Sequence, residues 1–193
     1  MSYTRQRIPP VPQSDWTFAV REVFAVMEGL QAAENGTSAN AVVTLANHPP
    51  LGKAVLTFHM RFLGLLKDKR ALREIIILRV SWIRQCQYEW VHHCMMAEAQ
   101  AGLTKAHIEA VRQGSENPIW SDLERLVLCA VDELCETARL ADETWARLSD
   151  KLTRNEMMEV IFLAGEYEMI CRCFNALRVE VEPQFRTDSM PEA

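Results

Sequence analysis

The sequence predicts an all-α protein, and three observations carry that expectation. Apolar residues recur at three- and four-residue spacing along almost the whole chain, glycine is scarce at 7 of 193 residues, and no Asn-Gly turn joins two alternating runs into a hairpin. The balance of 49% hydrophobic and 24% charged residues is that of a globular chain able to bury a core, which excludes collagen-like, disordered and mucin-like classes.

Taken in order, residues 1–13 contain Pro9, Pro10 and Pro12 and cannot be a helix interior, so they are expected as an extended arm packed on the body or on a neighbour. A first helix should start at Ser14-Asp15, turn Phe18, Val20, Val23, Phe24 and Met27 inward, and stop at Asn35-Gly36. A second covers Ser38 to Asn47, His48-Pro49-Pro50 breaks it, and a third runs from Leu51 to Leu66. Residues 70–100 have helical composition throughout and Gly102 closes them. Thr104, Ser121 and Thr153 look like N-caps, the last two with Glu124 and Glu156 in capping-box position, and a further helix is expected from Asp142 to Leu152. Leu103-Thr104 to Val111 echoes Leu152-Thr153 to Val160, which fits either a duplicated helical unit or two helices that merely start alike. The expected organisation is one helical domain over residues 14–182 and a flexible tail over 183–193.

Partners are narrowed by charge and hydropathy. Lys and Arg total 21 against 26 Asp and Glu, so a formal charge of −5 offers phosphates no basic field and nucleic acid is not an expected partner. Arg79 interrupts the run Ile75 to Leu78 and Gly165-Glu166 ends the run Val160 to Ala164, so no stretch nears the ~18 apolar residues of a membrane span. Residues 1–13 show neither an apolar core segment nor a small-residue cleavage site, and the expectation is a cytoplasmic protein. Its six cysteines are then expected to be reduced, with Cys129, Cys135 and Cys171 acting as small core hydrophobes.

The chemistry is concentrated in Cys86-Gln-Tyr-Glu-Trp-Val-His-His-Cys94. On a helix Glu89 and His93 are four apart and within reach of one another, and Cys86, seven before His93, shares their face. A carboxylate on one imidazole nitrogen fixes the tautomer and raises the basicity of the other, as general acid/base work near neutral pH requires. The same spacing also occurs as a plain solvated contact. Trp82, Tyr88, Trp90 and His92 could wall a pocket or belong to the core. Glu89-x-x-His92 spells one half of a di-iron ligand set, but no second copy exists and His59 is the one other plausible ligand, so no metal is expected.

Glu74, eleven residues, Cys86, two residues, Glu89, three residues and His93 together resemble the core of the carboxymuconolactone decarboxylase and AhpD-like alkylhydroperoxidase superfamily. Asn47-His48-Pro49, the run after Glu74, Asp142-Glu-Thr-Trp145 and Glu159-Val-Ile-Phe-Leu-Ala-Gly support the resemblance, which covers about residues 45–182. It implies an AhpD-like helical fold and a homo-oligomer, commonly a trimer or hexamer, in which the N-terminal arm is a candidate for wrapping a neighbour. The peroxidase branch carries a second cysteine where this chain has Glu89, and no cysteine is spaced in sequence to replace it. Cys94 points about 80° away from Cys86 around one helix. The decarboxylase branch, with Glu four before the motif His, implies a cofactor-independent lyase acting on a small unsaturated carboxylic acid or lactone. In that reading His93 delivers the proton, Glu89 orients it, Glu74 relays the proton and Cys86 lines the pocket. Two alternatives stay open: a thiol antioxidant using Cys86 with an external thiol or an unforeseen partner cysteine, and a helical oligomer without catalysis.

Overall fold

The computed structural model describes residues 6–185. Regular structure among them is helical throughout, as expected: ten α-helices, two short 3₁₀ turns at Gln13–Asp15 and Pro183–Phe185, and no strand. They fall into two compact units, one of residues 6–64 and 174–185, the other of residues 65–173. The first five residues of the expected arm and residues 186–193 of the expected tail lie outside the described residues.

In the first unit the extended segment 6–12 lies on the unit's own helices. The buried Gln6 side chain donates to Thr44 Oγ1 at 2.6 Å, Val11 N–H donates to the Val43 carbonyl at 3.3 Å, and Asn47 Nδ2 donates to the Pro9 carbonyl at 2.9 Å. The first helix begins later than its Ser14-Asp15 signal, because those residues form the 3₁₀ turn and Thr17 is the cap that accepts from Val20 N–H. This α1 (Phe18–Glu28) buries Val20, Val23 and Phe24, while Phe18, at its first position, is 80% exposed instead of inward. Gly29 at φ +81° separates it from α2 (Leu30–Asn35), so the single helix expected to run to Gly36 is two. Gly36 (φ +87°) ends α2 against the Trp16 ring, where a Cβ would collide. Helices α3 (Asn40–Leu45) and α4 (Pro49–Phe62) follow, His48 capping the latter by accepting from Leu51 N–H. Their core joins Val11, Val20, Val23, Phe24, Val42, Val43 and Leu56, each full burial contributing about 1.5–3 kcal/mol for the larger side chains. Residues 177–182 close this unit: Arg7 N–H donates to Leu177 O, and the Asn40 amide N–H donates to the Glu182 carboxylate at 2.7 Å.

The second unit is built around α5 (Arg70–Ile83), in which Ile75, Ile76, Ile77, Leu78 and Val80 are all essentially inaccessible. A helix apolar on nearly every side must be surrounded, and α5 packs against α6 (Gln87–Gln100), α7 (Lys105–Gln113) and α8 (Asp122–Thr137), with α9 (Asp142–Ser149) on α8. The last helix, α10 (Arg154–Leu177), spends its first twenty residues in this unit. The three expected caps form: Thr104 with His107, Ser121 with Glu124, and Thr153 with Glu156. Arg79, which breaks the apolar run in sequence, makes a forked pair with Asp132 (2.6 and 3.0 Å) and donates to the Val111 carbonyl, fixing α5 to α8 and to the end of α7.

Residues 70–100 are not one helix. Gln85 N–H donates to Trp82 O and Cys86 N–H donates to Ser81 O, a Schellman closure of α5 with Gln85 in the left-handed conformation at φ +52°. Cys86 is thus both the residue that closes α5 and the N-cap of α6. The sequence hides this break because a glutamine occupies the position that glycine normally takes. No helix of the described residues is long and apolar enough to cross a membrane.

Candidate active site

The site is assembled inside the second unit by α5, α6 and α10. His93, on the inward face of α6, has its Nδ1 2.7 Å from Glu74 Oε2 on α5. Its Nε2 meets two oxygens, Glu89 Oε2 at 3.4 Å, one turn earlier on α6, and the Tyr167 hydroxyl of α10 at 3.1 Å. Glu74 Oε1 in turn accepts from Arg73 Nε and Nη2 at 3.1 and 3.0 Å. Fractional exposure falls from 7% at Glu89 and 5% at His93 to 1% at Tyr167 and 0% at Glu74, so the Nε2 side of the imidazole is the less deeply sealed.

Burial alone would pull the His93 pKa down, but hydrogen bonds to Glu74 and Glu89 and the charges of both carboxylates outweigh it and raise it to about 9. Burial likewise pushes Glu74 up, and its bond to His93 with the charges of His93 and Arg73 brings it below the usual carboxylate value. Tyr167 is pushed well above the phenol range by burial and by the nearby carboxylates, so it stays a neutral hydroxyl. At neutral pH the centre is therefore an imidazolium. Nδ1–H donates to Glu74, and Nε2–H is shared between Glu89 and the Tyr167 oxygen. When Nε2 loses its proton, Tyr167 turns its O–H toward the ring and becomes the donor. The positive charges of Arg73 and His93 lie against the carboxylates of Glu74 and Glu89.

The aromatic residues flank this line. At about 100° per residue, Tyr88 lies to one side of Glu89 and Trp90 to the other. Tyr88 stacks obliquely on His92 with ring centroids 4.5 Å apart, and Trp90 packs on Trp82 at 5.3 Å, both indoles beneath the Arg112 guanidinium. Tyr88 and Trp90 are buried, whereas Trp82 and His92 are half-buried. Arg112 also lowers the Cys94 thiol pKa, but burial dominates and pushes it up to about 12, which removes Cys94 as a nucleophile.

Of the residues singled out in sequence, Glu74, Glu89 and His93 meet directly. Glu74 meets the ring at Nδ1, and Glu89 lies beside Nε2 together with the Tyr167 hydroxyl. Cys86 is not bonded to His93; its side chain is buried, and its backbone N–H donates to the Ser81 carbonyl at 2.9 Å. Sequence reasoning missed Tyr167 and Arg73. A signal existed for Tyr167, since it falls on the buried stripe Val160, Leu163, Ala164, Ile170 and Phe174 of α10, and a phenol there must find a polar partner. Among the described residues, no three His, Cys, Asp or Glu side chains form a group that could hold a metal ion.

Residues 49–133 match the Carboxymuconolactone decarboxylase family. Among curated proteins none matches the chain. The fold is similar to that of a protein of unknown function from Agrobacterium tumefaciens whose suggested role is AhpD antioxidant defence (TM-score 0.63, 22% identity, 70% of this chain and 94% of that one). It is similar also to the debrominase Bmp8 (TM-score 0.72, 17% identity, 91% and 92%) and to the AhpD core of an uncharacterized peroxidase-related protein from Ralstonia eutropha JMP134 (TM-score 0.74, 17% identity, 94% and 96%). The pattern of the carboxymuconolactone decarboxylase family thus spans α4 to α8, and the fold is similar to an AhpD-like fold over nearly the whole chain.

Proposed function

We propose that this chain is a cofactor-independent acid/base enzyme of the carboxymuconolactone decarboxylase type, acting on a small unsaturated carboxylic acid or lactone. One observation carries the reading: a buried imidazolium clamped between two carboxylates, with a neutral phenol at its reactive nitrogen. In such a reaction the bond between the substrate carbon and its carboxylate breaks, carbon dioxide leaves, and the electron pair stays on a carbon conjugated with the ring carbonyl. His93 Nε2–H delivers the proton to that carbon. Glu74 keeps the ring oriented and stabilises its charge until transfer, and the Tyr167 hydroxyl then donates to the bare nitrogen. Glu89, more accessible than His93, Tyr167 or Glu74, passes a solvent proton back to Nε2 for the next turnover.

A histidine with a pKa near 9 in the free protein is protonated at rest, which suits a donor rather than an abstracting base. The test is carbon dioxide release from a panel of unsaturated lactone acids at neutral pH, comparing the native protein with His93→Gln and Tyr167→Phe. Turnover that disappears in His93→Gln, with binding retained, supports the proposal; turnover unchanged in His93→Gln refutes it.

A further inference from the structure

The proposed proton transfer uses Glu74, Glu89, His93 and Tyr167, and leaves one charged member of the cluster without a part. Arg73 is buried, and its Nε and Nη2 donate to Glu74 Oε1 at 3.1 and 3.0 Å. Consecutive residues of a helix point about 100° apart and do not ordinarily face each other, so Arg73 folds back along α5 to reach the carboxylate of its own neighbour. Arg79, later on the same helix, reaches across to Asp132 and so staples α5 to α8. The bond from Arg73 to Glu74 lies within α5 and joins no second helix to it. It acts instead on the carboxylate whose other oxygen lies 2.7 Å from His93 Nδ1.

Two carboxylates hold the proton on the ring, Glu74 at Nδ1 and Glu89 at 3.4 Å from Nε2. An acid must nonetheless release its proton near the working pH. We propose that Arg73 is a positioning residue that keeps His93 a usable donor: seated on Glu74 Oε1, it weakens that carboxylate's grip on the imidazolium, so that the Nε2 proton passes to the substrate carbon. The inference rests on the acid role given to His93 above. An arginine keeps its charge in proteins, so the proton that moves is the one on Nε2. The surroundings agree with the geometry. Burial raises the Glu74 pKa, and His93 and then the charge and donors of Arg73 bring it down, which makes Glu74 the weaker acceptor for Nδ1–H. Burial and the charges of Glu89, Glu166 and Glu74 raise Tyr167, and Arg73 lowers it, so its field also reaches the Nε2 side of the ring. The groups acting on His93 are thus Arg73 and Glu74 from α5, Glu89 from α6, and Tyr167 from α10 with Glu166 next to it in sequence.

The test follows the ¹⁵N resonances of the His93 ring against pH in the full chain, comparing the native protein with Arg73→Gln and Arg73→Lys. The expected result is a midpoint near 9 in the native chain and a higher one in Arg73→Gln, with the proton bound about tenfold more tightly. Arg73→Lys, which restores the charge, should return the midpoint to near 9. A purely structural role predicts the opposite sign, because a loosened Glu74 bonds Nδ1–H less well and the midpoint falls. A midpoint that falls or stays in place in Arg73→Gln overturns the proposal. If Arg73→Gln does not fold, Arg73→Lys decides: a midpoint held near 9 supports control by charge, and one well below 9 shows that the guanidinium fork only orients Glu74 and overturns it. In the carbon dioxide assay Arg73→Gln should lower kcat with KM little changed. The ring titration needs no substrate, so a native chain that releases no carbon dioxide refutes the decarboxylase reading and leaves the titration to judge Arg73.

Discussion

Glu74 Oε2 lies 2.7 Å from His93 Nδ1, across nineteen residues of sequence and between two helices, and this contact orients the ring on which the proposed chemistry depends. Its other oxygen is held by Arg73, so neither end of the carboxylate is free to turn. Replacing Glu74 by Gln removes the buried carboxylate that pairs with both His93 Nδ1–H and Arg73, and stability should fall by about 3–5 kcal/mol, measured by urea unfolding at neutral pH.

The raised His93 pKa sets an alkaline limit. Because the folded value, about 9, lies above the ordinary 6.5, the protonated ring stabilises the fold fully below pH 6.5 and loses that contribution as pH rises through 9. The contribution at stake is on the order of 3 kcal/mol. Glu74 works in the opposite sense: its depressed pKa contributes stability above its ordinary value of 4.5 that is lost on acidification. The melting temperature should therefore be highest in the mildly acidic to neutral range and fall between pH 7 and 10 in the native protein, with the alkaline fall flattened in His93→Gln.

Tyr167→Phe removes one hydroxyl at Nε2 while leaving the edge-on ring contact with His93 at 5.2 Å between centroids. The loss should be about 1 kcal/mol in unfolding, the worth of a single buried hydrogen bond. In the proposed reaction the same change should lower kcat more than it raises KM.

Two backbone positions offer opposite signs. Gln85 holds a left-handed conformation at φ +52°, so Gln85→Gly should stabilise the protein by roughly 0.5–1 kcal/mol after the loss of its side-chain bond to the Trp82 carbonyl. Gly114 holds φ +84°, and a Cβ there would stand 3.0 Å from Arg79 Nη2. Gly114→Ala should cost about 1–3 kcal/mol by straining the turn and displacing the guanidinium from Asp132 and Val111. Thermal unfolding of the pair of variants reads both.

Most of the helical scaffold was legible because caps and periodicity are local signals. Thr104, Ser121 and Thr153 declare their helices within four residues, and Glu89 and His93 declare one face of α6. What was not legible depended on a conformation or on distance. Phe18 reads as apolar and inward, yet the late start of α1 puts it at an exposed first position. The break at Gln85 has no glycine to announce it. Tyr167 reaches His93 across seventy-four residues, and no spacing rule connects α6 to α10.

The central claim, that His93 rests as an imidazolium poised to donate from Nε2, is tested most directly by ¹⁵N NMR of its ring nitrogens between pH 5 and 10. The account predicts both nitrogens protonated at neutral pH, with a titration midpoint near 9 that drops in Glu74→Gln. A ring already neutral at pH 7 in the folded native protein would contradict it.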